Sequence, residues 1–509
     1  MLNLFGGGKP DHPMAEIREA RRILDDTAAT DSFKALEELA NWLDSVRATE
    51  GFKPEYRAQL IQLTDEAAQT HARKLSRDYL SSPRLSRFQE NRLWSAIHDY
   101  WKACALAFAS CVDLYASGAR GAEALKGAMP LLTVRALRAL AAQIKWQYLR
   151  YGPFDNSLWG MVAKIYALAE ARKYARNRVS VYPGIPGESS PEQEFLKAVM
   201  LSASSPDGMV PAEVDIAERL IAHFCSSFTL VLEQQPDIAY WIDLATSEPP
   251  LRLARPPQHA PTLRFFAAGK AGEQLERLMD SIRSTKAVPA ELNLGAGADP
   301  DLVLSVLGHL ALYWSPKPPE RKSKRHTVKS RLTVTSGFDG VLAVLEPSST
   351  LEFDQGRIEN WIVENVSAGG FGALVPQIKG EWLRIGALVA LQPEGGDNWV
   401  IGVIRRFNRD TPQRGTVGIQ TLAKAAQAVS LRPEGAATAT ATGILLNPAA
   451  AGAAAEAEIL LRSGALLPGT NLDMEAGGKL FLLMPGGAAE HGEDYELMRF
   501  RMMTRDTGD

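Results

Sequence analysis

At 509 residues the chain is long enough for two to four domains of roughly 100–200 residues each. Its 46% apolar and 23% charged residues are ordinary globular values, which exclude a mainly disordered chain, a collagen and a coiled-coil rod. Lys+Arg number 56 and Asp+Glu 59, a net charge of −3; the chain as a whole is not a nucleic-acid-coating protein, and no DNA or RNA partner is expected.

The chain begins MLNLFGGGKPDHP, without a basic stretch followed by an apolar one, so no secretory signal is read there. From Pro13 to about Trp314 apolar residues recur at helical spacing, as at Leu36, Leu39, Ala40 and Leu43, in stretches rich in Ala, Leu, Glu, Arg and Lys. Breaks fall at Ser82-Pro83, Gly118 to Gly121, Gly152-Pro153 and Tyr182 to Pro191, and Ser190-Pro191-Glu192-Gln193 offers an N-cap with Pro in the first turn. These features predict an all-helical bundle or irregular solenoid over 1–315, with roughly eight to twelve helices. Cys104 and Cys111 share a helix face as buried small hydrophobes, and three cysteines are too few for a disulfide framework. The aromatics Trp94, Tyr100, Trp101, Trp146 and Trp159 are read as core. The most apolar run, Ala103 to Ala116, contains Asp113 and falls short of the roughly 20 residues a membrane span needs. The expectation is a cytoplasmic protein without a transmembrane segment. The Pro-rich stretch Pro249 to Pro261 reads as an extended surface loop and marks a possible sub-boundary near 249–266.

At Ser315-Pro-Lys-Pro-Pro-Glu320 the character changes. Prolines forbid helix continuation, and beyond them the period becomes two, as in Arg331-Leu-Thr-Val-Thr and Trp399-Val-Ile-Gly-Val-Ile. Frequent glycines punctuate these runs, so residues 316–425 read as an antiparallel β-barrel or sandwich. This segment holds 15 Lys+Arg against 11 Asp+Glu, net +4. Six of the bases lie between Arg321 and Arg331, a density that attracts a small anion or phosphate. Residues 426–509, with 6 bases and 11 acids, show more strand patterns, such as Glu458-Ile-Leu-Leu and Lys479-Leu-Phe-Leu-Leu-Met, and read as a small β domain or an extension of the barrel.

Two local patterns sharpen the middle segment. Arg321-Lys-Ser-Lys-Arg325 is R-x-x-x-R, and Asn365-Val-Ser367-Ala-Gly-Gly370 is N-x-S-x-x-G at a strand end. R-x-x-x-R recurs elsewhere, for example at Arg73/Arg77, but the 321–370 pair combines order, spacing and β context. Over roughly residues 316–425 the chain resembles the PilZ family, whose domains bind the bacterial second messenger cyclic di-GMP. The resemblance implies that Arg321, Arg325, Asn365, Ser367 and Gly370 hold that ligand. The chemistry agrees. Guanine O6 and N7 match an arginine fork, phosphates take the same donors, and an amide and a hydroxyl suit a base edge. Gly370 would permit a positive φ or a close backbone approach. One stretch departs from the family pattern: Ser336-Gly-Phe-Asp-Gly-Val-Leu and Glu346-Pro-Ser-Ser-Thr read less like one continuous strand.

The eight histidines show no metal-ligand spacing, and no P-loop, GxGxxG, nucleophile elbow or His-Glu-x-x-His occurs. The expectation is therefore a non-enzymatic receptor with no metal and no cofactor beyond the ligand. It would couple the nucleotide to an unidentified protein partner of the helical region, with motility, pili or exopolysaccharide control implied by the resemblance. The alternative is a PilZ-like scaffold that has lost the nucleotide.

Overall fold

The computed structural model describes residues 10–81, 85–295, 297–319, 324–346, 358–380, 382–436, 441–448, 456–465, 469–476 and 478–505. The chain forms two compact units. One comprises residues 1–150, 154–206 and 211–320, the other residues 151–153, 207–210 and 321–509.

Among the described residues ten α-helices run through the first unit: α1 (Ile17–Ala28), α2 (Ser32–Ala48), α3 (Pro54–Ser81), α4 (Arg87–Ala116), α5 (Met129–Tyr148), α6 (Ser157–Ala171), α7 (Pro191–Ala203), α8 (Pro211–Phe224), α9 (Ala271–Thr285) and α10 (Pro300–Trp314). Their starts follow local chemistry. Asp31 accepts from the Phe33 and Lys34 amides, Ser86 and Gln89 form a reciprocal capping box, and Ser190 accepts from the Gln193 amide ahead of Pro191. The long helix α4 packs against α2, α3 and α5. Cys104, Cys111, Tyr100, Trp146 and Trp159 are buried there, whereas Trp94 and Trp101 are partly exposed.

A buried ionic network ties this bundle together. Asp65 is fully buried, and its Oδ1 accepts from Tyr100 Oη at 2.7 Å and Gln69 Nε2 at 2.7 Å, while Arg135 Nη1 reaches its Oδ2 at 3.2 Å. Arg135 also donates to the carbonyls of Val181 and Gln62 and to Glu66 Oε1. Burial pushes the Asp65 carboxyl up, and the Arg135 charge opposes it. Nearby, buried Glu194 is bound by Arg138, Lys197 and Ser189.

The unit read as all-helical also contains sheet. β1 (Val179–Ser180) pairs with β2 (Glu188–Ser189). β3 (Thr229–Val231), β4 (Tyr240–Asp243), β5 (Leu251–Arg252) and β6 (Leu263–Ala267) form a four-stranded antiparallel sheet in the order β3-β6-β4-β5. β5 lies inside the Pro-rich stretch expected to be loop. Most of these strands are too short to show a period of two, and β6 is buried at all five positions, so it does not alternate.

The second unit holds two closed six-stranded antiparallel barrels. The first is built from β7 (His326–Ser336), β8 (Glu359–Ser367), β9 (Gly370–Val375), β10 (Leu388–Pro393), β11 (Val400–Thr411) and β12 (Arg414–Ala423). The second uses β13 (Ala426–Pro433), β14 (Ala441–Leu446), β15 (Glu456–Arg462), β16 (Leu472–Ala476), β17 (Lys479–His491) and β18 (Tyr495–Thr504). With the strands of each barrel numbered one to six, both circuits run 1-2-3-6-5-4. The first core gathers Leu332, Val334, Trp361, Val363, Phe407, Val417 and Ile419; the second gathers Val429, Leu431, Ile459, Met474 and Phe500.

The departure noted after Ser336 is a helix, α11 (Gly337–Leu345). Residues 347–350 lie outside the described residues, as does 437–440 of the Ala/Thr alternation. Phe338 and Val341 of α11 join Leu388, Ile401 and Val403 of the first barrel and Ile444, Leu460, Tyr495 and Leu497 of the second in one apolar cluster. Polar contacts rim it. The Phe338 amide donates to Asp494 Oδ2 at 2.7 Å, Arg405 Nη2 meets Glu490 Oε2 at 2.5 Å, and Arg462 pairs with Asp339.

Candidate functional site

The hairpin β8–β9 positions most of the residues singled out by the motif. Ser367 pairs with Gly370 across a two-residue connection, Ala368-Gly369. Ser367 Oγ donates to the Gly370 carbonyl at 3.3 Å. Gly370 has φ +155°, and a Cβ there would overlap the Ile419 carbonyl oxygen on β12, so the neighbouring backbone approaches too closely for any side chain.

Asn365 lies two residues back on the same strand, beside an irregularity in pairing between Val363 and Asn365. Val363 and Val366 pack in the barrel core, so Asn365 and Ser367 both stand on the outer wall. The Asn365 side chain folds over Gly372, where a Cβ would meet its amide atoms at 2.6 Å. Its Oδ1 is buried and has no hydrogen-bond partner. A buried acceptor without a donor costs about 1–3 kcal/mol.

Arg325 immediately precedes β7. His326 pairs with Val366 and Thr327 with Asn365, so continuing that register sets Arg325 opposite Ser367. Arg325 is exposed. Thus Arg325, Asn365, Ser367 and Gly370 come together on one side of the barrel. Arg321, the other arginine of the motif, lies outside the described residues.

Register across the next strands adds features the motif does not contain. Asn365 pairs with Gly372, Gly372 with Gly418, and Gly418 with Arg406. This is one cross-strand row on the outer wall, with two glycines as its floor and a polar side chain at each end. The adjacent row runs Ser367, Gly370, Gln420, and Gln420 Oε1 accepts from Arg405 Nε at 2.7 Å. Burial alone would push the Glu490 carboxyl up, but its hydrogen bonds from Arg405 and Tyr495 hold it below the ordinary range.

The first unit carries a cleft of about 700 Å³ lined among others by Arg73, Arg77, Trp101, Lys145, Asp215 and Arg219. Lys145 is neutralised there by Asp215 and Glu218. Among the described residues there is no group of three or more His, Cys, Asp and Glu side chains able to hold a metal ion, and no helix is long and apolar enough to cross a membrane.

Comparison with known proteins adds one finding. Residues 18–236 match a family model described as the N-terminal domain of the cyclic-di-GMP receptor FimW. The match runs from α1 through α8 and β3, ending before β4 and well short of the barrels. No curated protein matches the chain. The matched segment therefore lies within the helical unit and not in the barrels.

Proposed function

We propose that this chain is a non-enzymatic cyclic di-GMP receptor whose first barrel, within residues 316–425, is PilZ-like and holds the nucleotide on its outer wall. Arg321 and Arg325 would supply guanidinium groups to phosphate and guanine, Asn365 and Ser367 an amide and a hydroxyl, and Gly370 the close backbone approach. The observation that carries this reading is the unsatisfied, buried Oδ1 of Asn365 beside a glycine floor, with Arg325 in register across from Ser367. The helical unit's match to the receptor family supports the same ligand from an independent part of the chain.

The basic arm and the barrel wall lie on different sides of the ligand in this reading. Nucleotide binding then biases the chain toward the state in which arm and wall hold the ligand together, and the differential affinity for that state sets how far the equilibrium shifts. Through that arm the helical unit would present or withdraw a surface for a protein partner in motility, pilus or exopolysaccharide control.

A second reading places the nucleotide in the helical cleft, because the family match falls there and Arg73 and Arg77 repeat the R-x-x-x-R spacing beside Trp101. Calorimetric titration with cyclic di-GMP separates the two. Micromolar or tighter binding lost in Arg325→Ala and Ser367→Ala, but kept in Arg77→Ala, supports the barrel. The reverse pattern supports the cleft. No heat and no thermal shift at about 100 μM ligand, far above a micromolar Kd, sinks the receptor reading.

A further inference from the structure

β3 stops at Val231, opposite Phe265, so among the described residues Leu263 and Arg264 at the start of β6 pair only with β4. The notch this leaves opens onto the C-terminal end of α6, and residues of both line a cavity of about 650 Å³. Its walls are mainly aliphatic: Ala167 and Ala171 of α6, Leu230 and Leu232 at β3, and Leu244 and Pro261. Leu232 is 64% exposed, a large apolar side chain left to water at the cavity wall. The polar groups are matched among themselves, with one exception. Glu170 accepts from Arg264 Nε at 2.9 Å and Tyr166 Oη at 3.2 Å, and Arg176 pairs with Glu192 at 2.9 Å. The exception is Lys173, whose ammonium has no hydrogen-bond or ion-pair partner among the described residues. It follows the α6 C-cap Arg172 with φ +59°, a left-handed position that favours glycine. Three bases, Lys173, Arg176 and Arg264, against two acids, Glu170 and Glu192, leave the cavity one positive charge.

Aliphatic walls with one uncompensated cation suit an apolar body that carries a single negative charge. A dianion would exceed the charge available, and a neutral hydrocarbon would leave the ammonium unmatched. An extended peptide adding to the sheet needs a row of open backbone groups. At the β6 wall they are taken. Arg264 Nη1 donates to the carbonyls of Pro261 and Leu263 at 2.9 and 2.7 Å. The Leu244 amide donates to the Thr262 carbonyl at 3.0 Å, and the Leu263 amide to the Ala260 carbonyl at 3.2 Å. Recognition is left to apolar contact and one charge, which is how a small molecule is held.

We propose that this cavity binds a small amphipathic carboxylate, its apolar chain against Leu230, Leu232 and Leu244 and its head at Lys173. The inference stands apart from where cyclic di-GMP binds. The test uses the full chain and phenylnaphthylamine, a neutral dye that brightens in apolar surroundings, displaced by decanoate or by decylammonium. These two competitors share a chain length and differ in the sign of the head. Wild type, Leu232→Asp and Lys173→Glu are compared, and thermal melting checks each fold. Wild type should brighten the dye, and decanoate should displace it at lower concentration than decylammonium. Leu232→Asp should weaken dye binding by about 10-fold, as expected for losing about half of a leucine's exposed area from the contact. Lys173→Glu should leave the dye unchanged, weaken decanoate by about 2- to 30-fold, the worth of two exposed charge pairs, and reverse the order of the competitors. A dye that binds Leu232→Asp as well as wild type, or that wild type does not brighten, overturns the site. An order of competitors that is the same in Lys173→Glu as in wild type overturns the charged head. Dye binding that decanoate cannot displace overturns the ligand class and leaves the cavity to a side chain of a protein partner.

Discussion

Gly372→Ala tests the site with little disturbance of the fold. A Cβ at this position would stand 2.6 Å from both Nδ2 and Oδ1 of Asn365 and 2.8 Å from its Cγ. Non-bonded carbon separations of roughly 3.5–4.0 Å are comfortable, so the amide must retreat by about 1 Å. Gly372 has no positive φ, and the atoms in the way belong to the end of an outward-facing side chain. The backbone can therefore stay where it is. Replacing glycine by alanine at a compatible position removes unfolded-state entropy worth about 0.4–1 kcal/mol, which offsets the cost of moving the amide. Stability should change by less than about 1 kcal/mol. Binding should not escape so lightly, because a hydrogen bond to a displaced amide loses about 1–2 kcal/mol, or roughly 5- to 30-fold in Kd. The assay is calorimetric titration with cyclic di-GMP, with a thermal melt on the same sample. Asn365→Ala provides the control: the double variant should bind no more weakly than Asn365→Ala alone, since both changes act through one amide. Wild-type affinity in Gly372→Ala would refute the reasoning and remove Asn365 from the site.

Other expectations concern the frame around the site. Gly370→Ala should cost at least about 2 kcal/mol and lower the melting temperature, since its Cβ would meet backbone rather than a movable side chain; an unchanged melt would contradict the close approach at Ile419. Arg135→Met leaves the Asp65 carboxylate buried without its guanidinium and should destabilise the protein by about 3–5 kcal/mol in urea. In an Asp65→Asn background the same change should cost much less, and an equal cost in both backgrounds would show that the ion pair is not the reason. Burial alone would push the Glu194 carboxyl up, but Arg138, Lys197 and Ser189 outweigh it and hold it down at about 2. A carboxyl lowered on folding contributes stability that is complete above its unfolded value near 4.5 and is lost as pH falls from there to about 2. The loss should approach about 3 kcal/mol, and Glu194→Gln should flatten it; an identical acid limb in that variant would refute the assignment.

How much of this was legible in the residues depended on how local each signal was. Helices such as α2 announced themselves through Leu36, Leu39 and Leu43, all buried on one face, and α7 through Ser190-Pro191. The sheet from β3 to β6 left no such trace, because Leu263 to Ala267 is buried on both sides and β5 is two residues long. The same division holds at the site. Asn365, Ser367 and Gly370 sit within six residues of one another, so a turn and its flanks could be read directly. Gly418 and Arg406 join them only through three successive strand pairings and a register irregularity, and no spacing along the chain encodes that neighbourhood. The matching strand order of the second barrel was equally invisible, since the two barrels share their connections and not their motifs.

The helix inserted after β7 has a consequence for dissection of the chain. Phe338 and Val341 form a common apolar seam with Leu388, Ile401 and Val403 on one side and Ile444, Leu460, Tyr495 and Leu497 on the other. Only two residues, Lys424 and Ala425, separate β12 from β13. Cutting there would strip the seam of one of its walls and turn an interior into a sticky exterior. A protein ended at residue 425 should aggregate or self-associate even though its first barrel is topologically complete, so the smallest soluble carrier of the site runs on to the end of β18.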